Sequence, residues 1–320
     1  MLRTARDTLR ETVARGLHRS GLSTRLRRAQ ERGRVATLLV YHDPSPEVLD
    51  AHLRFLCQHY DIVPLDAVVD ALHRRDWSAL PPRPLVLTID DGHRGNAALA
   101  DVLRAHGVRA TIYACSALVG THRHFWWTHA GKRAHAFIEL SQEDRLAALA
   151  ALGVDPEEEH PSPQALSRDE MERLRPWVDF GSHTRTHPIL PHCDAPTARQ
   201  EIQASRAEIR ALTGAPCDHF CFPNGDFSPR DLDLVRQAGY RSARTTRVGR
   251  VDETTDPFVL PAIGVGDGDS IDVLALRLAT FYGVLGSSTV RACRHMLRRW
   301  TRSRHAAQAA DPRRPDAAGR

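Results

Sequence analysis

Lysine is all but absent from this chain. Lys132 is the only one in 320 residues, against 43 arginines. This reads as an arginine-biased composition and not as a binding code. No apolar run approaches the roughly 20 residues of a membrane-spanning helix. No CxxC pair occurs among the six cysteines (Cys57, Cys115, Cys193, Cys217, Cys221 and Cys293), so the expectation is reduced thiols, several of them buried. The first twenty residues, MLRTARDTLRETVARGLHRS, lack the apolar stretch of a secretory signal, and the expected location is the cytoplasm. No internal repeat is visible.

The charge that is present is unevenly placed. Residues 1–34 hold ten Arg against Asp7, Glu11 and Glu31, a net +7. Residues 291–320 hold nine Arg against Asp311 and Asp316, again +7. With a whole-chain charge of +5, the part between carries −9. A basic footprint for nucleic acid is therefore missing from the middle, and no nucleic-acid partner is expected. Leu2, Leu9, Val13 and Leu17 recur at near-helical spacing among Arg3, Arg6, Arg10 and Arg15. Such a basic amphipathic helix either lies on an anionic membrane surface through residues 1–30 or packs on its own domain or a partner. The Ala-, Arg- and Pro-rich tail, within 286–320, is expected to be disordered.

From residue 35 to about 285 the pattern alternates. VATLLVYH, DIVPL, PLVLTID, VRATIYAC, WVDFGSH, CDHFCFP and YRSARTT read as strands, with one more expected at 258–265. Helices are expected after Ser45-Pro46, over 65–75, over 95–106 up to Gly107, after the capping box SRDE, over 197–213 up to Gly214, after Ser228-Pro229 and over 270–282. A less regular stretch, 118–166, interrupts the alternation and contains one helix near 141–152. Repeated β-α units argue a parallel sheet, open or closed into a barrel, with chemistry at the carboxyl ends of the strands.

Four strand ends carry reactive side chains. Tyr41, His42 and Asp43 follow the first strand, Asp90 and Asp91 the third, His183 and His187 the WVDFGSH strand, and FPNGD the CDHFCFP strand. Two adjacent carboxylates at the end of a buried strand repel each other, and burial adds a desolvation cost. A divalent ion offsets that repulsion. Two histidines and one carboxylate with open positions form a catalytic metal pattern. The second Asp then lies beside a water that the ion activates, where it acts as a base.

TIDDG followed by SHTRTH resembles the signature of the polysaccharide deacetylase family. FCFPNGD is similar to that family's third motif in its Phe/Tyr-Pro-x-Gly variant. YHD, FWW (125–127), ARTTRVG (243–249) and PFVLPAIGV (257–265) resemble its bacterial members. The resemblance spans about 35–285. It implies a distorted (β/α) barrel of about seven parallel strands and hydrolysis of an N-acetyl group on an amino sugar. The substrate would be an N-acetylated glycan or a lipid-linked sugar. By the resemblance, Asp90 is the base, and Asp91, His183 and His187 are ligands of a divalent metal, usually zinc. The backbone N–H of Asn224, after Pro223, is the oxyanion donor.

The sequence departs from the family in three places. Cys221 stands where many relatives carry the arginine that holds the base. Ala262 occupies a position that is often arginine. The late histidine that serves as general acid has no counterpart, and His42 is its candidate replacement. Trp126 and Trp127 are candidates for a wall against a sugar ring, and His93 for a substrate contact. The nearby His122, His124 and His129 read as solvated loop histidines. Two other readings stay open: hydrolysis of another non-peptide C–N bond on the same scaffold, and a glycan-binding pseudoenzyme.

Overall fold

A computed structural model of the chain describes residues 5–31 and 33–279; the side chains of 5–7, 9, 10 and 30 are outside that description. The expected tail at 286–320 therefore lies outside the described residues. Nine strands are present among them: β1 (Val35–Tyr41), β2 (Asp61–Ile62), β3 (Pro84–Ile89), β4 (Ala110–Ala114), β5 (Val178–Ser182), β6 (His219–Cys221), β7 (Ser242–Arg244), β8 (Val251–Asp252) and β9 (Ile263–Gly264). Seven of them, in the order β1-β3-β4-β5-β6-β7 with β9 on the other edge of β1, run parallel and curl into a distorted barrel. Between β7 and β9 the ring is joined by a parallel bridge from Arg244 to Leu260. The short β2 pairs with the start of β3, and β8 pairs antiparallel with the start of β1. Both additions sit at the amino ends, opposite the expected chemistry.

Strand periodicity explains the two main apolar layers. Leu38, Val40, Val86, Tyr113, Cys221 and Ala262 point into the barrel and form one buried cluster. The helix Leu65–Arg74 packs on that cluster through Val68, Val69 and Leu72. Alternate residues (Leu39, Leu87, Ile89, Ile112, Phe180) point outward into a second cluster under the surrounding helices. The helix Ala195–Thr213 contributes Ala198, Ile202 and Ile209 to that cluster. Each fully buried Ile of this kind is worth about 1.5–3 kcal/mol.

Local signals set the helix ends. Ser45, Ser167, Asp194, Ser228 and Ser270 cap helices by accepting a backbone N–H, and the capping boxes at Ser167–Glu170 and Ser228–Asp231 are complete. Gly107 and Gly214 end helices in the left-handed conformation. Two expected elements differ. Residues 94–99 form a 3₁₀ turn before the helix Ala100–His106, and 258–265 contains only a 3₁₀ turn and the two-residue β9. Pro257 and Pro261 lack N–H donors, so the barrel closes here on few ladder bonds. The insertion at 118–166 carries two short helices, Trp126–Ala130 and Ala134–Ile138, besides Gln142–Ala150.

The N-terminal helix Ala5–Arg19 packs on the helix Ile271–Leu278. Buried Glu11 accepts from Ser270 Oγ (2.6 Å), and His18 bonds Asp272 (2.7 Å). Ala14 is buried while Val13 is exposed, so the covered face is rotated from the stripe read in the sequence. No helix among the described residues is long and apolar enough to cross a membrane. Cys57 is exposed, and Cys115, Cys193, Cys217 and Cys221 are buried; all five are free thiols.

Candidate active site

Asp90 continues β3 by one residue, its N–H bonding to Tyr41 O at 2.9 Å. The chain then turns sharply. Asp91 (φ 70°) and Gly92 (φ 73°) are both left-handed, and a side chain at 92 would meet Ala114 Cβ at 3.0 Å. Of the five non-glycine residues with positive φ among those described, four are Asp91, Thr184, His187 and Asn224. Such conformations cost of order 1–3 kcal/mol each, and their gathering at one end of the barrel marks a functional site. The fifth, Arg75, closes the helix Leu65–Arg74.

The turn aims Asp91 at two imidazoles. Its Oδ1 lies 3.4 Å from His183 Nε2 and 3.6 Å from His187 Nε2. Its Oδ2 bonds His93 Nε2 at 3.1 Å. His183 directly follows β5, and its Nδ1 donates to Cys221 O (2.8 Å), which turns Nε2 toward Asp91. His187 is reached by a turn in which its N–H donates to Thr184 Oγ1 (3.0 Å). Glu201, on the helix Ala195–Thr213, fixes the same turn by accepting from the N–H groups of Arg185 (2.7 Å) and Thr186 (3.0 Å).

These residues fit a divalent cation. One ligand atom each from Asp91, His183 and His187 lies within 4.8 Å of the other two, and all three residues are buried or nearly so. Tetrahedral bonds of 2.0–2.2 Å place neighbouring ligand atoms about 3.4 Å apart, close to the two separations found. Protonation suits the role at two of the three residues. Burial works against the Asp91 carboxylate, but hydrogen bonds from His183 and His93 outweigh it and hold the group well below the usual carboxylate range. Burial, and His183 beside it, push His187 down to about 3. Asp91 and His187 are thus in their ligating forms at neutral pH. Burial works against a charged His183, but Cys221 and Asp91 outweigh it and hold its pKa well above 6.5, so its Nε2 proton gives way when a cation binds.

Asp90 is held by a residue that the sequence reading did not assign. Arg244 Nη2 reaches both carboxylate oxygens of Asp90, and it also touches Cys221 Sγ at 2.7 Å. Arg244 is fully buried, with its guanidinium 5.4 Å from the centre of the Tyr113 ring. Burial disfavours its charge, yet Asp90 outweighs this and raises its pKa. Cys221 and Arg244 are register partners on β6 and β7. The arginine expected at 221 has thus moved one strand sideways at the same height. The signal was present, since Arg244 belongs to the ARTTRVG segment.

The other candidates are placed as follows. Pro223 is buried, and Asn224 is left-handed (φ 57°), its backbone N–H without a partner among the described residues. Gly225 (φ 79°) packs so closely on Thr246 that a Cβ would lie 2.5 Å from Thr246 N. His42 is exposed at the end of β1, where Asp267 accepts from its N–H (3.1 Å). Its imidazole makes no contact with the Asp91 group. His93 does, and it also packs on Phe125 (centroids 4.7 Å). Trp126 Nε1 donates to His187 O (3.0 Å), and Trp127 meets the His187 ring at 4.5 Å, so the Trp pair flanks the candidate ligand. Arg145, buried and 4.7 Å over Trp126, backs that wall and was not read from the sequence.

A parallel α/β barrel with a carboxylate–imidazole group and a second carboxylate at its carboxyl end defines a hydrolase-type scaffold. The family model for polysaccharide deacetylase matches residues 78–243, and the chain belongs to that family. Solved structures share the fold at low identity. The deacetylase PplD of Streptococcus pyogenes, in complex with acetate, is 16% identical over 77% of this chain and 98% of that one, with a TM-score of 0.57. IcaB from Ammonifex degensii gives 17%, 78%, 98% and 0.58. A de-N-acetylase from Aggregatibacter actinomycetemcomitans gives 15%, 76%, 100% and 0.56. No curated protein matches the chain.

Proposed function

We propose that the chain is a metal-dependent carbohydrate N-deacetylase acting on an N-acetylated amino sugar. The observation that carries this reading is the convergence of Asp91, His183 and His187 beside an Asp90 anchored by Arg244. Family membership supports the substrate class. Asp91, His183 and His187 would hold the cation, most simply Zn2+ given two imidazoles and one carboxylate. When bound, it supplies Lewis acidity to the attacking water and the amide oxygen.

The chain's own residues do the rest. Asp90, held by Arg244, takes the proton of the attacking water. The N–H of Asn224, held out by its left-handed conformation, donates to the oxygen that gains charge as the amide carbonyl becomes tetrahedral. The leaving amine needs a proton, and His42 at the exposed rim is the donor in this reading. His93 orients Asp91. Trp126 and Trp127 present ring faces to the sugar.

The test is acetate release from N-acetylated oligosaccharides, with and without chelator, and with Asp90→Asn. Activity untouched by both treatments defeats the mechanism. Glycan binding without turnover under any metal would favour a pseudoenzyme, and turnover only of other amides a different C–N hydrolase.

A lipid-linked substrate and membrane contact through residues 1–30 form the finer part of the proposal. The exposed Arg19, Arg25 and Arg28, with Leu22 and Val13 beside them, support it. Deleting the helix would also remove the Glu11–Ser270 contact, so the cleaner probe is Arg19→Glu/Arg25→Glu/Arg28→Glu in the full chain. Co-sedimentation with anionic vesicles should be lost in that variant. No binding by the unaltered chain ends the idea.

A further inference from the structure

The histidines that the catalytic reading leaves unused gather in one place. His124 lies before the helix Trp126–Ala130, His129 within it, and His160 on the returning loop of the insertion. The His124 and His160 rings stack with centroids 3.9 Å apart, and His129 lies 5.3 and 5.2 Å from them. One ring nitrogen from each lies within 4.8 Å of the other two, and all three residues are half-buried. The sequence shows His122 in this neighbourhood, but its imidazole bonds His160 O (2.9 Å) and does not join the group. Instead it brings in His160, from 31 residues beyond His129.

Two features make this more than a chance cluster. His124 Nε2 is bonded to Ser162 O (3.0 Å), an arrangement that fixes the tautomer and leaves Nδ1 with its lone pair. The rings of His129 and His160 have no hydrogen-bond partner among the described residues, so their lone pairs are also available. The backbone beneath is already pinned: His160 N–H donates to His122 O (3.1 Å), and Arg123 pairs with Glu157 (2.6 Å).

We propose that His124, His129 and His160 form a second metal site, separate from the Asp91 group, for an imidazole-preferring divalent cation such as Zn2+. Bonds of 2.0–2.1 Å require neighbouring nitrogens about 3.3 Å apart, so the stacked His124 and His160 rings turn out of their stack to aim both lone pairs at one ion. Three imidazoles leave a position for water. By the general affinity order, Cu2+ and Ni2+ enter the same site. Its consequence is structural. The cation ties the start of the insertion to its return and fixes the helix that carries Trp126 and Trp127, which touch His187. It is therefore a clip on the wall beside the catalytic group.

The experiment counts ions on full-length protein stripped by chelator, then dialysed against micromolar Zn2+. The expected result is two Zn2+ per chain. His129→Gln/His160→Gln should bind one, and Asp91→Asn/His183→Asn should also bind one. In the latter variant Zn2+ should slow proteolysis within 118–166, and the further His129→Gln/His160→Gln change should remove that protection. Circular dichroism on each variant separates lost folding from lost ligands; if the Gln pair misfolds, His124→Gln alone is expected to halve the count. A wild type with one ion that is lost with Asp91→Asn/His183→Asn overturns the proposal. So does a second ion indifferent to the three histidines. A wild type with a single ion that is lost with His129→Gln/His160→Gln and kept in Asp91→Asn/His183→Asn would count against the catalytic reading and leave this one standing.

Discussion

Arg244 and Cys221 are register partners on neighbouring strands, and the guanidinium of Arg244 grips the carboxylate of Asp90 across the barrel interior. β3 and β7 are separated by other strands in both directions around the ring, so only a long side chain spans the gap. Cys221 leaves room for it, and the Tyr113 ring lies alongside. A carboxylate held through both oxygens loses rotational freedom and is aimed before substrate arrives.

Arg244→Met should therefore damage both activity and stability. Leaving a buried carboxylate uncompensated costs about 3–5 kcal/mol. Deacetylation kcat should fall by about 10²-fold or more, with KM little changed. The double variant Asp90→Asn/Arg244→Met should be more stable than Arg244→Met alone, because no orphan charge remains. Urea unfolding and steady-state kinetics check both statements. Equal stability of the single and double variants would show that the pair is not electrostatically coupled.

His93 touches the oxygen of Asp91 that does not face the two imidazoles. Removing such an outer partner typically costs 10–100-fold in metal affinity. His93→Ala should show a loss of about that size for Zn2+ at the Asp91 group, measured by competition with a chromophoric chelator. His42→Ala, whose imidazole does not touch this group, should bind the catalytic Zn2+ as the wild type does. A proton-donor role for His42 predicts instead a fall in kcat and loss of the basic limb of its pH profile.

Much of this was legible before any coordinates. The β-α alternation, the capping serines and the glycine stops are local signals, and they placed nearly every element. That Asp90, Asp91, His183 and His187 lie together was legible because each stands at or shortly after the carboxyl end of a strand, and parallel strands end on one side. What escaped depends on register and on long side chains. Arg244 escaped because the sequence does not say which residue of β7 faces Cys221. Arg145 and His160 escaped because the insertion's path has no periodicity to read. The strand expected at 258–265 was overestimated because Pro257 just before that apolar run and Pro261 within it cannot supply ladder donors.

Gly225 tests the oxyanion loop apart from the metal. Its φ of 79° is costly for any L side chain, and a Cβ would lie 2.5 Å from Thr246 N, a backbone atom that cannot swing aside. Gly225→Ala should shift the loop that carries Asn224 while leaving Asp91, His183 and His187 in place. The expected outcome is a kcat loss of about 10²-fold with full metal content, the scale of losing one oxyanion donor. Normal turnover would remove the Asn224 N–H from the mechanism.

The last prediction concerns acid. His52 is buried, with its ring nitrogens on Tyr41 OH (3.1 Å) and Asp269 O (2.8 Å), and burial lowers its pKa below the ordinary 6.5. His187 is lowered further, to about 3, by burial and by His183. In both cases the folded pKa is depressed. The unfolded chain takes up a proton near pH 6.5 that the native fold refuses, so stability is full above that value and is lost as pH falls through the window. Inside it each group contributes a slope of up to about 1.4 kcal/mol per pH unit. For His187 in metal-free protein the window runs from about 6.5 down to about 3. The urea midpoint should therefore fall between about pH 6.5 and about pH 5.5, below the range in which the raised His183 and His93 act in the opposite sense. His52→Gln should show a shallower fall than the parent, whatever its stability at neutral pH. An equal fall in both would mean that His52 accepts its proton in the native state, and that burial is not what sets its pKa.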